Sequence, residues 1–325
     1  MRRVRRARVA WGKGGLHLAF RSIRTVEDNA ARSRRPVRRP GIMVGRLFGV
    51  PIYLNASWLL LAVLVTVTYG QFVQRGLDLR PATAYLVGFC FVLFLLGSVL
   101  LHEVGHALVA RGNGIGVRAI TLELLGGYTE MDRDAASPKV ELIVSLAGPA
   151  VSLVLGGAAA GLTAATEGGT LLRQLVVQLA VSNIVVAAFN LLPGLPLDGG
   201  RAVRAAVWGI SGDRHLGTLV AGYSGRVVAA LTAVGAVALS GAGIFSTFGV
   251  VFMLLVALTV WQGATQAIRL ARISARFPLI DLVRLARPLF AVPTGTPLAE
   301  AQRRAAESGT ERVALAVADS AGRLV

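Results

Sequence analysis

Apolar residues in this chain gather into six long runs, with charged and turn-forming residues between them. The runs cover about residues 54–69, 82–110, 140–165, 171–192, 227–239 and 244–268. The stretch 82–101 holds no charged side chain. About 20 apolar residues at about 1.5 Å rise match the ~30 Å hydrocarbon core of a bilayer. The pattern therefore predicts about six transmembrane helices. The first and fifth runs are short, and the fifth has room to begin nearer Leu219. Between the second and third runs the period changes. Val117-Arg118-Ala119-Ile120-Thr121-Leu122-Glu123-Leu124 partly alternates apolar and polar, and Gly126-Gly127 follows, which predicts a strand or hairpin near the membrane surface. Such a strand could be an edge that pairs with an extended peptide; an ordinary surface hairpin would carry the same pattern.

Beyond Arg272 the hydropathy falls. Residues 278–297 read as a linker and lead-in. Thr296 then suits an N-cap and Pro297 a first helical position, opening an amphipathic helix to about Ser308. Residues 312–318 predict a buried strand, with a turn at 319–322. About 40 residues is thin for an independent domain, so this stretch reads as the first part of an α/β module or as a half that pairs with a partner. The expected fold class is mainly α: a polytopic membrane protein with about six transmembrane helices, a small β hairpin or sheet near the cytoplasmic membrane surface, and a short α/β C-terminal segment. The expected domains are a basic, disordered tail at 1–41, a transmembrane domain at 42–270, a linker at 271–287 and the C-terminal segment at 288–325.

Composition supports the membrane assignment. Charged residues make up 16% of the 325, where a soluble domain carries about 25%. The single cysteine, Cys90, lies inside an apolar run, which excludes an intrachain disulfide and suits packing. The arginine-rich first 50 residues lack the apolar core of a cleavable signal peptide. A net charge of +17 would suit nucleic acid, but its distribution does not. Of the 34 basic side chains, only Arg75, Arg80 and Arg173 fall at external loops when the N-terminus is cytoplasmic. The positive-inside rule explains that asymmetry, with attraction to anionic lipid heads. It predicts a multi-pass cell-membrane protein with both termini cytoplasmic and no nucleic-acid partner. The arginine- and alanine-rich usage points to a bacterial source.

The chemistry is concentrated at His102-Glu103-Val104-Gly105-His106, at the end of the second run. Ionisable groups in a membrane segment mark a functional site. Histidines four apart on a helix share one side and can bind one zinc ion. Glu103 can act on the attacking water without ligating metal. A catalytic zinc wants three protein ligands and an open position. His17 in the basic tail and His215 in a polar loop are poor third ligands; Asp198 is better. It follows the fourth run in Asn190-Leu191-Leu192-Pro193-Gly194-Leu195-Pro196-Leu197-Asp198-Gly199, whose prolines and glycines break the helix. Irregular backbone at membrane depth must be buried in protein or line a wet cavity. A carboxylate there would find a partner in a metal cation; the alternative is a turn in which Asp198 caps a helix starting at Gly199. Asn190 offers an amide for a substrate carbonyl or an oxyanion. Gly148-Pro149 in the third run suits close helix packing or a hinge.

HExxH in an apolar helix, followed after a later helix by Asn-x-x-Pro-x-x-x-x-Asp-Gly, resembles the site-2 protease family of intramembrane zinc metalloproteases, peptidase family M50. Asn190, Pro193, Asp198 and Gly199 match the second motif without a gap. The stretch Ser145-Leu146-Ala147-Gly148-Pro149-Ala150 resembles a small-residue segment of that family. The resemblance covers about residues 42–270. It implies His102, His106 and Asp198 as ligands of one zinc per chain, Glu103 as general base and Asn190 as a helper near the substrate. It also implies endopeptidase activity on single-pass or otherwise membrane-anchored proteins, in regulated intramembrane proteolysis. The tail from about Pro288 resembles the start of a cystathionine-β-synthase-type (CBS) module, through which chains could pair or a nucleotide could bind. The competing classes are a metal-binding membrane transporter or channel and an inactive scaffold. A transporter has no need of the HExxH order; a hydrolase needs Glu103.

Overall fold

The computed structural model describes residues 41–123, 126–243, 247–275, 289–307 and 314–319. They belong to two compact units, Pro40–Phe277 and a second that includes Pro278–Val325.

The first unit opens with a hairpin the hydropathy pattern does not announce. β1 (Ile42–Leu47) and β2 (Val50–Leu54) pair antiparallel around Phe48 and Gly49. Both turn residues have positive φ, at 51° and 82°, the twist a two-residue hairpin turn requires. Helix α1 (Ala56–Leu77) follows, its N-cap Asn55 accepting from Ser57 N–H. Helix α2 (Pro81–Gly112) starts with proline at its first position, where the missing N–H costs nothing. Then come β3 (Val117–Glu123) and β4 (Gly126–Met131). Four more helices complete the frame of the apolar region: α3 (Pro138–Thr163), α4 (Leu171–Asn190), α5 (Asp198–Ser211) and α6 (Arg214–Gly241). The unit closes with α7 (Thr247–Ser274).

Among the described residues, six helices, α1–α4, α6 and α7, are long and apolar enough to cross a membrane. The chain is a multi-pass membrane protein. Helix α6 starts at Arg214, well before the predicted run at 227–239, because glycines and polar residues dilute the hydropathy of its first turns. Asp213 starts it by accepting from the N–H groups of His215 and Leu216. Helix α7 continues to Ser274, past the expected boundary at 270. The tail expected to be disordered lies outside the described residues up to 40, as does most of the expected linker.

The sheet has the order β1-β2-β3-β4. β2 and β3 run parallel, with Ile52 opposite Ile120, and β3 and β4 antiparallel. This corrects the expected edge: Val117–Glu123 is interior, and the free edge on that side is β4. Val50, Ile52, Ile120 and Leu122 form one buried cluster with Val104 and Ala107 of α2. The sheet thus rests on the helical turns that carry HExxH. On another side α3 meets α2 closely. A methyl at Gly105 would fall 2.8 Å from Val151 Cγ2 and 3.1 Å from the Ala147 carbonyl oxygen.

In the second unit β5 (Leu289–Pro293) and β6 (Ala314–Ala318) pair parallel, with α8 (Leu298–Glu307) between them in sequence. β5 stands where only a lead-in is expected. β6 alternates half-buried and exposed positions instead of being fully buried, as a two-stranded sheet leaves one face open.

Candidate active site

His102 and His106 lie one turn apart on α2, buried to 4% and 3% exposure. Their Nε2 atoms are 3.3 Å apart, and each lies 3.1 Å from Asp198 Oδ2. The far side of each ring is anchored on α3. His102 Nδ1 is 2.9 Å from Ser152 Oγ, and His106 Nδ1 is 2.7 Å from the Val144 carbonyl oxygen. A carbonyl only accepts, so His106 Nδ1 carries a hydrogen. The neutral ring then aims its Nε2 lone pair at the other two ligand atoms. Converging lone pairs and a carboxylate call for a cation. The spacing also fits one: tetrahedral ligands at about 2.0–2.1 Å from zinc sit about 3.3 Å from one another. These three form the one cluster with metal-ligand geometry among the described residues.

Asp198 is delivered by the irregular stretch 191–197 at the start of α5. The stretch is pinned from both sides. Leu195 N–H donates to the Ala221 carbonyl of α6 at 3.0 Å, and Pro196 sits against Gly263 of α7, where a methyl would come 2.7 Å from its Cγ. The N-cap of α5 is Leu197, without a side-chain cap bond, so the Asp198 carboxylate serves the histidines rather than the helix end. Glycine at 148 is obligatory. A methyl there would collide with both imidazoles, which assigns Gly148-Pro149 to packing beside the site.

Glu103 lies outside the ligand cluster and is 5% exposed. Thr129 Oγ1 of β4 donates to its Oε2 at 2.8 Å and lies 3.1 Å from its backbone carbonyl. Gly127 of the same strand leaves room for it; a methyl there would be 2.9 Å from Glu103 Cγ. Neither Thr129 nor Ser152 can be found from linear spacing. Their only signals are a polar residue on a strand over the site and a serine four residues after Gly148. Asn190 is the last residue of α4, and its side-chain NH2 donates to the Val186 carbonyl at 3.1 Å. His215 is the second residue of α6 and joins no metal cluster; His17 lies outside the described residues.

Thr129 also lines a polar cavity of about 600 Å³, together with Met131, Leu195, Pro196, Arg201 and Arg204. Its lining also includes an ion-pair network. Fully buried Glu141 of α3 binds Arg204 of α5, whose Nε lies 2.5 Å from its Oε1. Arg214 of α6 lies 3.7 Å from Glu141 Oε2 and 2.5 Å from Asp134 Oδ2. Arg214, donating to Asp134, holds that exposed carboxyl below its ordinary value. Four segments are thus tied together around the helix that presents Asp198.

The model of peptidase family M50 matches residues 90–178 and 159–235. A protein of Synechocystis sp. named as a zinc metalloprotease is 42% identical over 191 residues, which is 57% of this chain and 49% of that protein. A Mycobacterium tuberculosis protein so named is 39% identical over 196 residues, or 59% of this chain and 50% of that one. The chain spans about half the length of these relatives. The solved site-2 protease of Methanocaldococcus jannaschii superposes with a TM-score of 0.50 at 26% identity, covering 70% of this chain and 94% of that one.

Proposed function

We propose that this chain is a zinc-dependent intramembrane endopeptidase of peptidase family M50, whose family model matches residues 90–178 and 159–235. Its substrates are membrane-anchored proteins, cut within or near the cytoplasmic side of the bilayer in regulated intramembrane proteolysis. The observation that carries this reading is the convergence of His102 Nε2, His106 Nε2 and Asp198 Oδ2 beside a buried glutamate. These three residues would hold the zinc. When bound, zinc supplies a Lewis acid that polarises the scissile carbonyl and lowers the pKa of water from 15.7 toward ~7.

The chain's own residues do the rest. Glu103 takes the proton of the attacking water and returns it to the leaving amine. The Thr129 hydroxyl holds Oε2 and so orients the carboxylate. His106 is kept in one tautomer by Val144. Asn190 stands at the mouth of the loop bearing Asp198, and to assist a substrate its amide must exchange the Val186 carbonyl for the substrate's. Water reaches this region by the cavity that Thr129 lines. A helical substrate hides its amides and must unwind to be cut. The edge of β4, which carries Thr129, is the surface on which the extended segment would add as a strand.

The placement of the basic residues supports cytoplasmic termini. The β5–α8–β6 order supports reading the second unit as the opening of a CBS-type module, through which chains could pair or a nucleotide could bind. The transporter reading has no use for the Glu103–Thr129 pair. The deciding experiment measures zinc per chain and cleavage of a model transmembrane peptide, for the wild type and Glu103→Ala. One zinc in both, with cleavage lost only in the variant, is expected. Cleavage that survives the substitution overturns the role of Glu103; metal-dependent ion flux without cleavage would favour transport.

A further inference from the structure

Arg226 lies within membrane-spanning α6, and neither α6 nor α7 contains an acidic residue. A guanidinium in that position needs a reason. Its carbon sits 5.3 Å from the centre of the Trp261 ring and 5.7 Å from that of Tyr223. Its Nε and Nη2 lie 3.3 and 3.2 Å from one acceptor, Thr265 Oγ1. That hydroxyl spends its own hydrogen on the Trp261 carbonyl, 2.8 Å away, which leaves its oxygen free to accept. Guanidinium has five N–H groups. Those on Nη1 therefore have no acceptor among the described residues.

A second arginine stands on the same patch. Arg272 Nη2 lies 2.5 Å from Tyr223 Oη. The two rings that join these arginines face outward, Tyr223 at 44% and Trp261 at 45% exposure. The depth is legible along α7. The apolar span starts at Gly249, and a length of about 30 Å, roughly 20 residues, brings the chain to Arg269. Thr265 is about one turn inside that level and Arg272 just outside it. Arginine stems reach such a distance and snorkel their heads to the interface. Tyrosine and tryptophan favour the same depth.

We propose that Arg226 and Arg272, framed by Tyr223 and Trp261, form a binding site for the phosphate of an anionic phospholipid in the leaflet where α7 ends. The ligand chemistry is a phosphate oxyanion, which accepts the fork of N–H groups that a ring-stacked guanidinium presents. The lipid is the occupant because the aromatic frame faces outward at interface depth. Its acyl chains would lie along the apolar faces of α6 and α7, where Val227, Leu254, Leu258 and Leu231 are exposed. None of these residues belongs to the proposed catalytic machinery.

The test uses the full chain in nanodiscs of phosphatidylcholine with phosphatidylglycerol, followed by mild delipidation and native mass spectrometry. The wild type is expected to retain phosphatidylglycerol in preference to phosphatidylcholine. Arg226→Gln and Arg272→Gln are each expected to lower that retention about tenfold, with helicity by circular dichroism unchanged. Arg226→Lys, which keeps charge but loses the fork, should fall between. Equal retention by wild type and the Arg272→Gln variant, whose side chain is exposed and whose folding is not at stake, overturns the proposal. So does equal retention of the two lipids by the wild type. Displacement by inorganic phosphate at equal concentration would make the site one for free anion and overturn the assignment to lipid.

Discussion

Thr129 Oγ1 and Glu103 Oε2 are 2.8 Å apart, joining an edge strand to a buried carboxylate from a different element. The contact links two parts of the proposed mechanism, since the strand on which a substrate would lie also sets the orientation of the base. A substrate that displaced β4 would therefore change the environment of Glu103 as well.

Thr129→Val keeps the shape and removes the donor. Losing a hydrogen bond to a buried charged group costs about 1–3 kcal/mol. The expected outcome is a fall in kcat of roughly tenfold or more, with zinc content intact and a displaced acid limb of the pH–rate profile. Thr129→Ser should restore both. Unchanged kcat and pH profile would make Thr129 a packing residue only.

Ser152→Ala removes the group that anchors His102 Nδ1. Partners of this kind typically contribute about 10–100-fold to metal affinity. Zinc affinity, read by competition with a chelating dye, should weaken within that range. Turnover at saturating zinc should recover most of its value.

Gly148→Ala places a methyl against both imidazoles. Overpacking of this kind costs about 1–3 kcal/mol, and the rings must move to relieve it. Zinc per chain and cleavage should both fall. Gly157 of the same helix has open space where a methyl would go, and Gly157→Ala should leave both readings unchanged.

Arg204→Met removes the nearer of the two guanidinium partners of the fully buried Glu141 and leaves only Arg214, 3.7 Å away. Removing one partner of a buried pair costs about 3–5 kcal/mol, so a large drop in the thermal midpoint is expected. Glu141→Gln in the same chain should recover much of it, because the buried charge that Arg214 alone compensates is then gone.

Asp134 gives a pH prediction. Arg214 depresses its carboxyl pKa in the folded protein. The folded state therefore binds that proton less readily than the unfolded state does. The pair contributes stability above the ordinary carboxylate pKa of about 3.9 and loses it as pH falls through the lower folded value. The thermal midpoint of wild type should exceed that of Asp134→Asn at neutral pH, and the gap should close in acid. A gap that stays constant from neutral pH to about pH 3 would assign the effect to something other than this charge.

Much of this protein is legible in its order of residues. Spanning helices announce themselves because the bilayer demands long apolar runs. His102, Glu103 and His106 are legible because a helix turns a local spacing into a shared face. The stretch around Asp198 is legible because prolines and glycines at membrane depth need a cause. The hairpin at 42–54 escapes notice because its short strands abut the first apolar run, and β2 finds its parallel partner β3 only across two long helices. That pairing moved the free edge from β3 to β4.

What the linear chain determined by itself is the class of chemistry and the helices that carry it, since both rest on local periodicity and composition. The tertiary structure decided the rest. It brought Asp198 across 92 positions to His106, set Ser152 and Val144 behind the imidazoles, placed Thr129 on the glutamate, and set Arg226 over the Trp261 ring of α7. Each of those contacts joins segments far apart in sequence. Only packing selects them, because no local spacing brings one side chain within hydrogen-bond reach of another on a different element.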